Sequence, residues 1–128
     1  MGRNELHRDS TGIGLIVKFV KKYAPQYQDE EAIRRVIEQH LKYRTCIVIW
    51  DKDEVIAVCR WNVWGISTAH ILDLIIHPKY RRKRLITRML IMGLKMYPQV
   101  KFISFERLMK YPDREQRVYS IKQFLRRN

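Results

Sequence analysis

Between Gly65 and Gly93 the chain has no glycine, and between Leu74 and Phe105 it has no acidic residue. The first absence takes the residue that reaches positive φ freely out of the middle of the sequence. The second leaves residues 74–105 with charges of one sign only, all of them cationic. Cysteine is scarce as well: only Cys46 and Cys59 occur, both inside apolar, strand-like runs. Two such thiols make no disulfide framework and read as buried free cysteines in a reducing, cytoplasmic compartment. No apolar run approaches the roughly 18 residues that a membrane span needs. The first nine residues carry no apolar core, which excludes a secretory signal, and position 6 lacks the Ser or Thr of a myristoylation motif. His7, His40, His70 and His77 show no ligand spacing and join neither cysteine in a zinc pattern, so no metal is expected. A Gly-x-Ser-x-Gly elbow and a phosphate loop ending in Gly-Lys-Ser/Thr are both missing.

What is present is basic, and on one side only. The 128 residues, 46% of them hydrophobic, suit a single globular domain with a real core, and the net charge is +13. Residues 1–73 hold 11 Lys/Arg against 10 Asp/Glu, whereas residues 74–128 hold 15 against 3. An asymmetry of this kind points to a polyanionic partner: nucleic acid, a phosphorylated cofactor or an acidic protein surface. In the tail, Arg107, Lys110, Arg114, Arg117, Lys122, Arg126 and Arg127 interleave with Tyr111, Tyr119 and Phe124. Phosphate contacts combined with stacking on single-stranded nucleic acid use that mixture.

Hydrophobic periodicity gives the order of elements. Ser10 or Thr11 caps a first helix to about Tyr23, with Leu15, Ile16, Phe19, Val20 and Tyr23 at helical spacing and Pro25 beyond. Asp29 caps a second, whose stripe is Ile33, Val36, Ile37 and Leu41. Arg44 to Trp50, a polar turn at 51–54, and Val55 to Trp64 form an antiparallel hairpin. Strict alternation puts Val55, Ala57, Cys59, Trp61 and Val63 on one face of the second strand. A third strand runs from about Thr68 to His77, and Pro78 stops it. After the basic loop a helix spans about Arg84 to Tyr97, and Val100 to Phe105 is the next strand. A strand–helix–strand unit makes a parallel pair by a right-handed crossover. Val118 to Ile121 reads as a last short strand, with Phe124 and Leu125 as an anchor. The fold class is α/β of the α+β type: a mixed, mostly antiparallel sheet with two N-terminal helices and a central strand–loop–helix–strand unit. One domain is expected over residues 1–128, with residues 1–9 flexible and residues 107–128 as a basic C-terminal extension.

The stretch from Ile71 to Leu90 resembles the acyl-CoA motif of the GNAT (GCN5-related N-acetyltransferase) family. A strand of the form hydrophobic–Asp–Leu–hydrophobic–hydrophobic is followed by His77-Pro78-Lys79-Tyr80-Arg81, where the family has a Pro, an aromatic and an Arg. The order of elements over roughly residues 10–106 matches as well. The resemblance implies an N-acetyltransferase that moves an acetyl group from acetyl-CoA to an amine. One departure stands out: Arg84 and Ile86 occupy the positions of the family's small loop residues. A side chain there takes away cheap access to positive φ and holds the backbone off a phosphate. Arg82, Lys83, Arg84 and Arg88 offer direct charge instead. The compact size, basicity and Tyr111-Pro-Asp-Arg ending are also similar to small GNAT-like proteins of bacteriophages, including the Mom-type DNA-modification group. The replaced loop residues and the basic, aromatic tail carry a second reading, a catalytically degenerate GNAT-fold protein that binds nucleic acid, and a virion or complex component held by charge is a third.

Acyl transfer to an amine needs an oxyanion donor, a base and an acid. By resemblance the oxyanion donor is a backbone N–H among Leu74, Ile75 and Ile76. The cofactor phosphates fall to Arg81, Arg82, Lys83, Arg84, Leu85, Ile86 and Thr87. Candidate bases are Asp73 and His70 on the third strand and Glu106 at the end of the next. Candidate acids are Tyr111 and Tyr119.

Overall fold

The structure is a computed structural model that describes residues 10–64, 66–81, 84–108 and 114–127. Helices α1 (Ser10–Tyr23) and α2 (Glu30–Lys42) come first, then strands β1 (Cys46–Asp51), β2 (Glu54–Trp64) and β3 (Thr68–Ile76). A 3-10 turn at Pro78–Tyr80 leads toward α3 (Leu85–Met96), followed by β4 (Phe102–Leu108), β5 (Arg114–Ser120) and α4 (Ile121–Arg127). The α2 start follows from its sequence: Asp29 accepts from the Ala32 N–H at 3.2 Å, and Glu30 and Glu31 complement the helix dipole.

The five strands lie in sequence order, β1-β2-β3-β4-β5. Every neighbouring pair is antiparallel except β3 with β4, which is parallel as the α3 crossover requires. The fold is thus the mixed, mostly antiparallel sheet expected. Helices α1 and α2 cover one face, burying Ile16, Phe19, Val20, Ile33, Ile37 and Leu41 against Val48, Trp50, Val58 and Ile75. Helices α3 and α4 cover the other, where Leu85, Met89, Leu90 and Phe124 meet Ile47, Cys59, Trp61 and Ile103. Cover on both faces explains why β1 is apolar at five successive positions.

Three sequence expectations need correction. The β2 alternation breaks at a bulge, because Ile49 pairs with Ala57 and Trp50 with Val55, leaving Ile56 extra. Val55 and Val58 consequently share the α1/α2 core, while Ile56, Ala57 and Cys59 face α3. Second, Val36 does not join the buried stripe of α2; it is 38% exposed. Third, β5 starts at Arg114, and the chain then turns helical instead of ending as a strand at Ile121. Ser120 and Gln123 make reciprocal bonds of 3.0 and 3.2 Å, a capping box that starts α4. Phe124 of α4 is buried in the α3-side core.

Cys46 and Cys59 lie in the cores on opposite faces of the sheet, both buried and free. Burial pushes the Cys46 thiol up to about 12 and the Cys59 thiol higher still. Reaction of the native chain with a thiol reagent at neutral pH is therefore expected only at the rate of unfolding. A time course in increasing urea would show it, and fast labelling without denaturant would contradict the packing. No helix among the described residues is long and apolar enough to cross a membrane.

Candidate active site at the divergence of two strands

Strands β3 and β4 pair over only four residues, Thr68–Ile71 against Phe102–Phe105. Beyond that point β3 stays with β2 as far as Ile76, and β4 stays with β5 as far as Leu108. The arms part, and a gap opens between them. A second bulge lies at its apex: Asp73 pairs with Arg60 and Ile71 with Trp61, leaving Leu72 extra. Bulges bend a strand, so this one turns β3 away where the parallel ladder ends. Past it, the His77 N–H donates to the Ile56 carbonyl at 2.8 Å. Alternation along an antiparallel strand then points the Ile75 N–H at β2 and those of Leu74 and Ile76 toward the gap. No described strand pairs with that edge.

The gap leads to the start of α3. Its N-cap residue is Arg84, which makes no side-chain cap bond, and no acidic residue stands in the first turn. The N–H groups of Leu85, Ile86 and Thr87 are therefore first-turn donors without intrahelical acceptors, at the positive end of the helix dipole. Arg84 sits at φ 55° and ψ 35°. The side chain at this position thus does not exclude the left-handed conformation; the backbone adopts it and bears the cost. Ile86 turns its half-buried side chain into the α3-side core, not onto the loop. Arg84→Gly should consequently stabilise the chain by about 1 kcal/mol, or roughly 3 °C in melting midpoint. A thermal melt tests this, and a lowered midpoint would contradict the assigned conformation. Arg81 is exposed at the end of the 3-10 turn; Arg82 and Lys83 lie outside the described residues.

On the opposite face of β3, Asp73 is the centre of a polar cluster. Tyr27, in the α1–α2 connection, donates its hydroxyl to Oδ1 at 2.6 Å. Arg60 meets Oδ2 with Nε and Nη2, each at 2.7 Å. The side chains of Arg60 and Asp73 are only 20% and 13% exposed. Burial first, and then the hydrogen bond to Asp73, raise the Tyr27 pKa above its ordinary value. The phenol thus stays protonated and keeps donating. His40 extends the cluster, with Nδ1 2.6 Å from Thr45 Oγ1 and Nε2 3.4 Å from Arg60 Nη1. The Thr45 hydroxyl donates to the His40 carbonyl, which leaves its oxygen to accept from Nδ1–H and makes Nε2 the acceptor.

Burial, followed by the Arg60 charge, lowers the His40 pKa below 6.5. Just below pH 6.5 the unfolded chain therefore binds a proton that the folded chain refuses, and stability falls as pH drops through that interval. His40→Gln should flatten the fall. Melting midpoints at about pH 7.5 and about pH 5.5 check it, and an equal loss in both proteins would refute it.

Beside the cluster lies a cavity of about 140 Å³ between α1, α2 and the sheet, with Tyr27, Arg60 and Asp73 at its polar end. The other expected site residues are dispersed. His70 is 7% exposed, with Nδ1 2.6 Å from Ser104 Oγ, at the closed end of the gap where β3 and β4 still pair. Glu106 is exposed on the β4 arm, across the gap from the arm that carries Asp73. Tyr119 stacks on Phe105, ring centroids 5.6 Å apart, on the α3 side. Tyr111 lies outside the described residues. Leu74 and Ile76 point into the α3-side core and Ile75 into the α1/α2 core. No group of three or more His, Cys, Asp or Glu among the described residues is placed to hold a metal ion.

Sequence reasoning missed Tyr27, Arg60, His40 and Thr45. Arg60 carried a signal, being the one charge within the apolar run from Val55 to Trp64, whose neighbouring strand holds the lone Asp73. Tyr27 carried none.

Two antiparallel hairpin strands, a diverging parallel pair and an uncapped crossover helix on a five-stranded sheet define the class of fold. The acetyltransferase (GNAT) family model matches residues 14–119, and the chain belongs to that family. Solved structures agree in fold at low identity. An aminoglycoside 6'-N-acetyltransferase complexed with coenzyme A superposes with a TM-score of 0.61 at 15% identity, over 83% of this chain and 58% of that one. The PaiA N-acetyltransferase from Thermoplasma acidophilum, in complex with coenzyme A, gives 0.56 at 11%, over 78% and 76%. N-acetylglutamate synthase from Neisseria gonorrhoeae gives 0.60 at 11%, over 78% of this chain and 24% of that one. The chain thus spans little more than half the length of the aminoglycoside enzyme. No curated protein matches it by sequence.

Proposed function

We propose that the chain transfers an acetyl group from acetyl-CoA to an amine. The observation that carries this reading is the gap beyond Ile71 and Phe105, with the Leu74 and Ile76 N–H groups turned toward it. The residues present suit an acyl-CoA. First-turn donors of α3, the left-handed backbone at Arg84 and the Arg84 and Arg88 side chains would hold its phosphates, in a segment free of acids. The coenzyme A bound in all three of the similar structures named above supports the same reading.

Acetyl-CoA would supply an acetyl thioester: the amine lone pair forms the C–N bond, the C–S bond breaks, and the proton lost from nitrogen ends on the departing sulfur. The chain contributes position and field. The Leu74 and Ile76 N–H groups offer donors for a carbonyl oxygen that gains negative charge, the type of term that dominates acyl transfer. Asp73, held by Tyr27 and Arg60, gives the amine a fixed acceptor beside the gap. Its oxygens are already engaged, which suits orientation better than proton abstraction.

Titration calorimetry with acetyl-CoA tests the reading. Saturable heat at micromolar to millimolar ligand is expected, the usual range for such substrates. No heat up to millimolar ligand would overturn it.

A further inference from the structure

The cavity beside Asp73 is too apolar to serve only as a passage. Val20, Ile33, Val36, Ile37, Val58 and Ile75 make its walls, and Tyr27, Arg60 and Asp73 its one polar end. We propose that it selects the acceptor, and that the acceptor is a small amine carrying a single aryl or branched-alkyl group; this rests on the acetyl-transfer reading above.

Size comes first. The cavity of about 140 Å³ is open on one side and comparable with the roughly 150 Å³ void that holds benzene, so it has room for one ring or its aliphatic equivalent. Charge comes second. Among the described lining residues Asp73 is the sole acid, and Arg60 neutralises it through two 2.7 Å contacts. The polar end therefore offers hydrogen bonds but no net negative charge, and it has nothing to draw a polycation. Placement comes third. Asp73 is the first residue past the Leu72 bulge on the arm that borders the gap. An amine at the polar end of the cavity would sit next to the donors at Leu74 and Ile76, while its apolar group fills the space under α2. The exposure of Val36 also acquires a reason: it stands at the rim, where an apolar group enters.

The test uses the whole chain, acetyl-CoA, benzylamine, spermidine and the variant Val36→Trp, which fills the cavity from its rim. Ala32→Leu fills it from the wall and serves if the first variant melts early. With acetyl-CoA, thiol release should be about tenfold or more faster with benzylamine than with spermidine, and the cavity-filling variants should erase that preference. Calorimetric binding of benzylamine alone should weaken in parallel, while acetyl-CoA binding stays unchanged. Equal rates for the two amines, or a preference that survives both variants, would overturn the cavity as the selecting site and leave acetyl transfer standing. No heat with acetyl-CoA, together with benzylamine binding that the variants abolish, would overturn the transfer reading and leave a small-amine site.

Discussion

Gly93→Ala should destabilise the chain by about 3 kcal/mol, although alanine is the better helix former by about 1 kcal/mol. The sign is decided by Trp61. A Cβ on Gly93 would stand 2.5 Å from Trp61 Cζ2 and 2.9 Å from Cζ3, and would overlap Cη2 outright. The ring has little room to retreat, since Trp61 is 2% exposed and meets Tyr97 edge-on with centroids 6.0 Å apart. Relief must come from moving α3 off the sheet, and α3 also carries the first-turn N–H donors at Leu85, Ile86 and Thr87. Urea denaturation measures the loss. Gly93→Ala combined with Trp61→Phe should lose less than the two single changes added together, because the smaller ring removes the overlap. A Gly93→Ala protein as stable as the wild type would mean that α3 does not lie this close to β2.

Arg60→Met should cost about 3 kcal/mol, mostly by leaving the Asp73 carboxylate buried without its partner. Both side chains are well under a third exposed, so solvent screens the pair only partly. Tyr27→Phe, which removes one donor of 2.6 Å, should cost about 1 kcal/mol. Arg60→Met with Asp73→Leu should recover most of the first loss, since apolar replacements of both partners leave no charge stranded. Urea midpoints of the wild type, Arg60→Met, Asp73→Leu and the double variant close the cycle. Additive losses would show that the contacts at 2.7 Å carry no coupling. If acetyl transfer is the activity, Arg60→Met should also lower kcat with acetyl-CoA binding intact, because the cluster lies on the face away from α3.

The order of elements was legible because each relevant period was long enough to register. Helix α2 declared itself by Asp29, Glu30, Glu31 and its apolar repeat, and β1 by five buried residues in a row. What escaped was whatever depends on a single residue out of step. The extra residues Ile56 and Leu72 shift the facing of their strands, and no composition distinguishes them from their neighbours. Helix α4 was legible in principle from Ser120-x-x-Gln123, but seven residues give too short a period for the apolar pattern to show. Of the site, the strand–loop–helix unit could be read along the chain. The Tyr27–Asp73–Arg60 cluster could not, because its members lie 46 and 13 residues apart and meet only once the sheet and the α1–α2 connection are in place. At Arg84 the sequence argument was right about the strain: the backbone takes the left-handed turn at a cost that glycine would not have carried.

The sheet keeps its two cores apart. Helices α1 and α2 close one and α3 and α4 the other, and side chains of β2 and β3 serve one or the other according to the two bulges. If the cavity selects the amine, a lineage could remodel the walls at Ala32, Val36 and Ile37 to accept new amines while the α3 side is inherited unaltered. For anyone redesigning the chain, α2 is the element to randomise and α3 the one to leave alone.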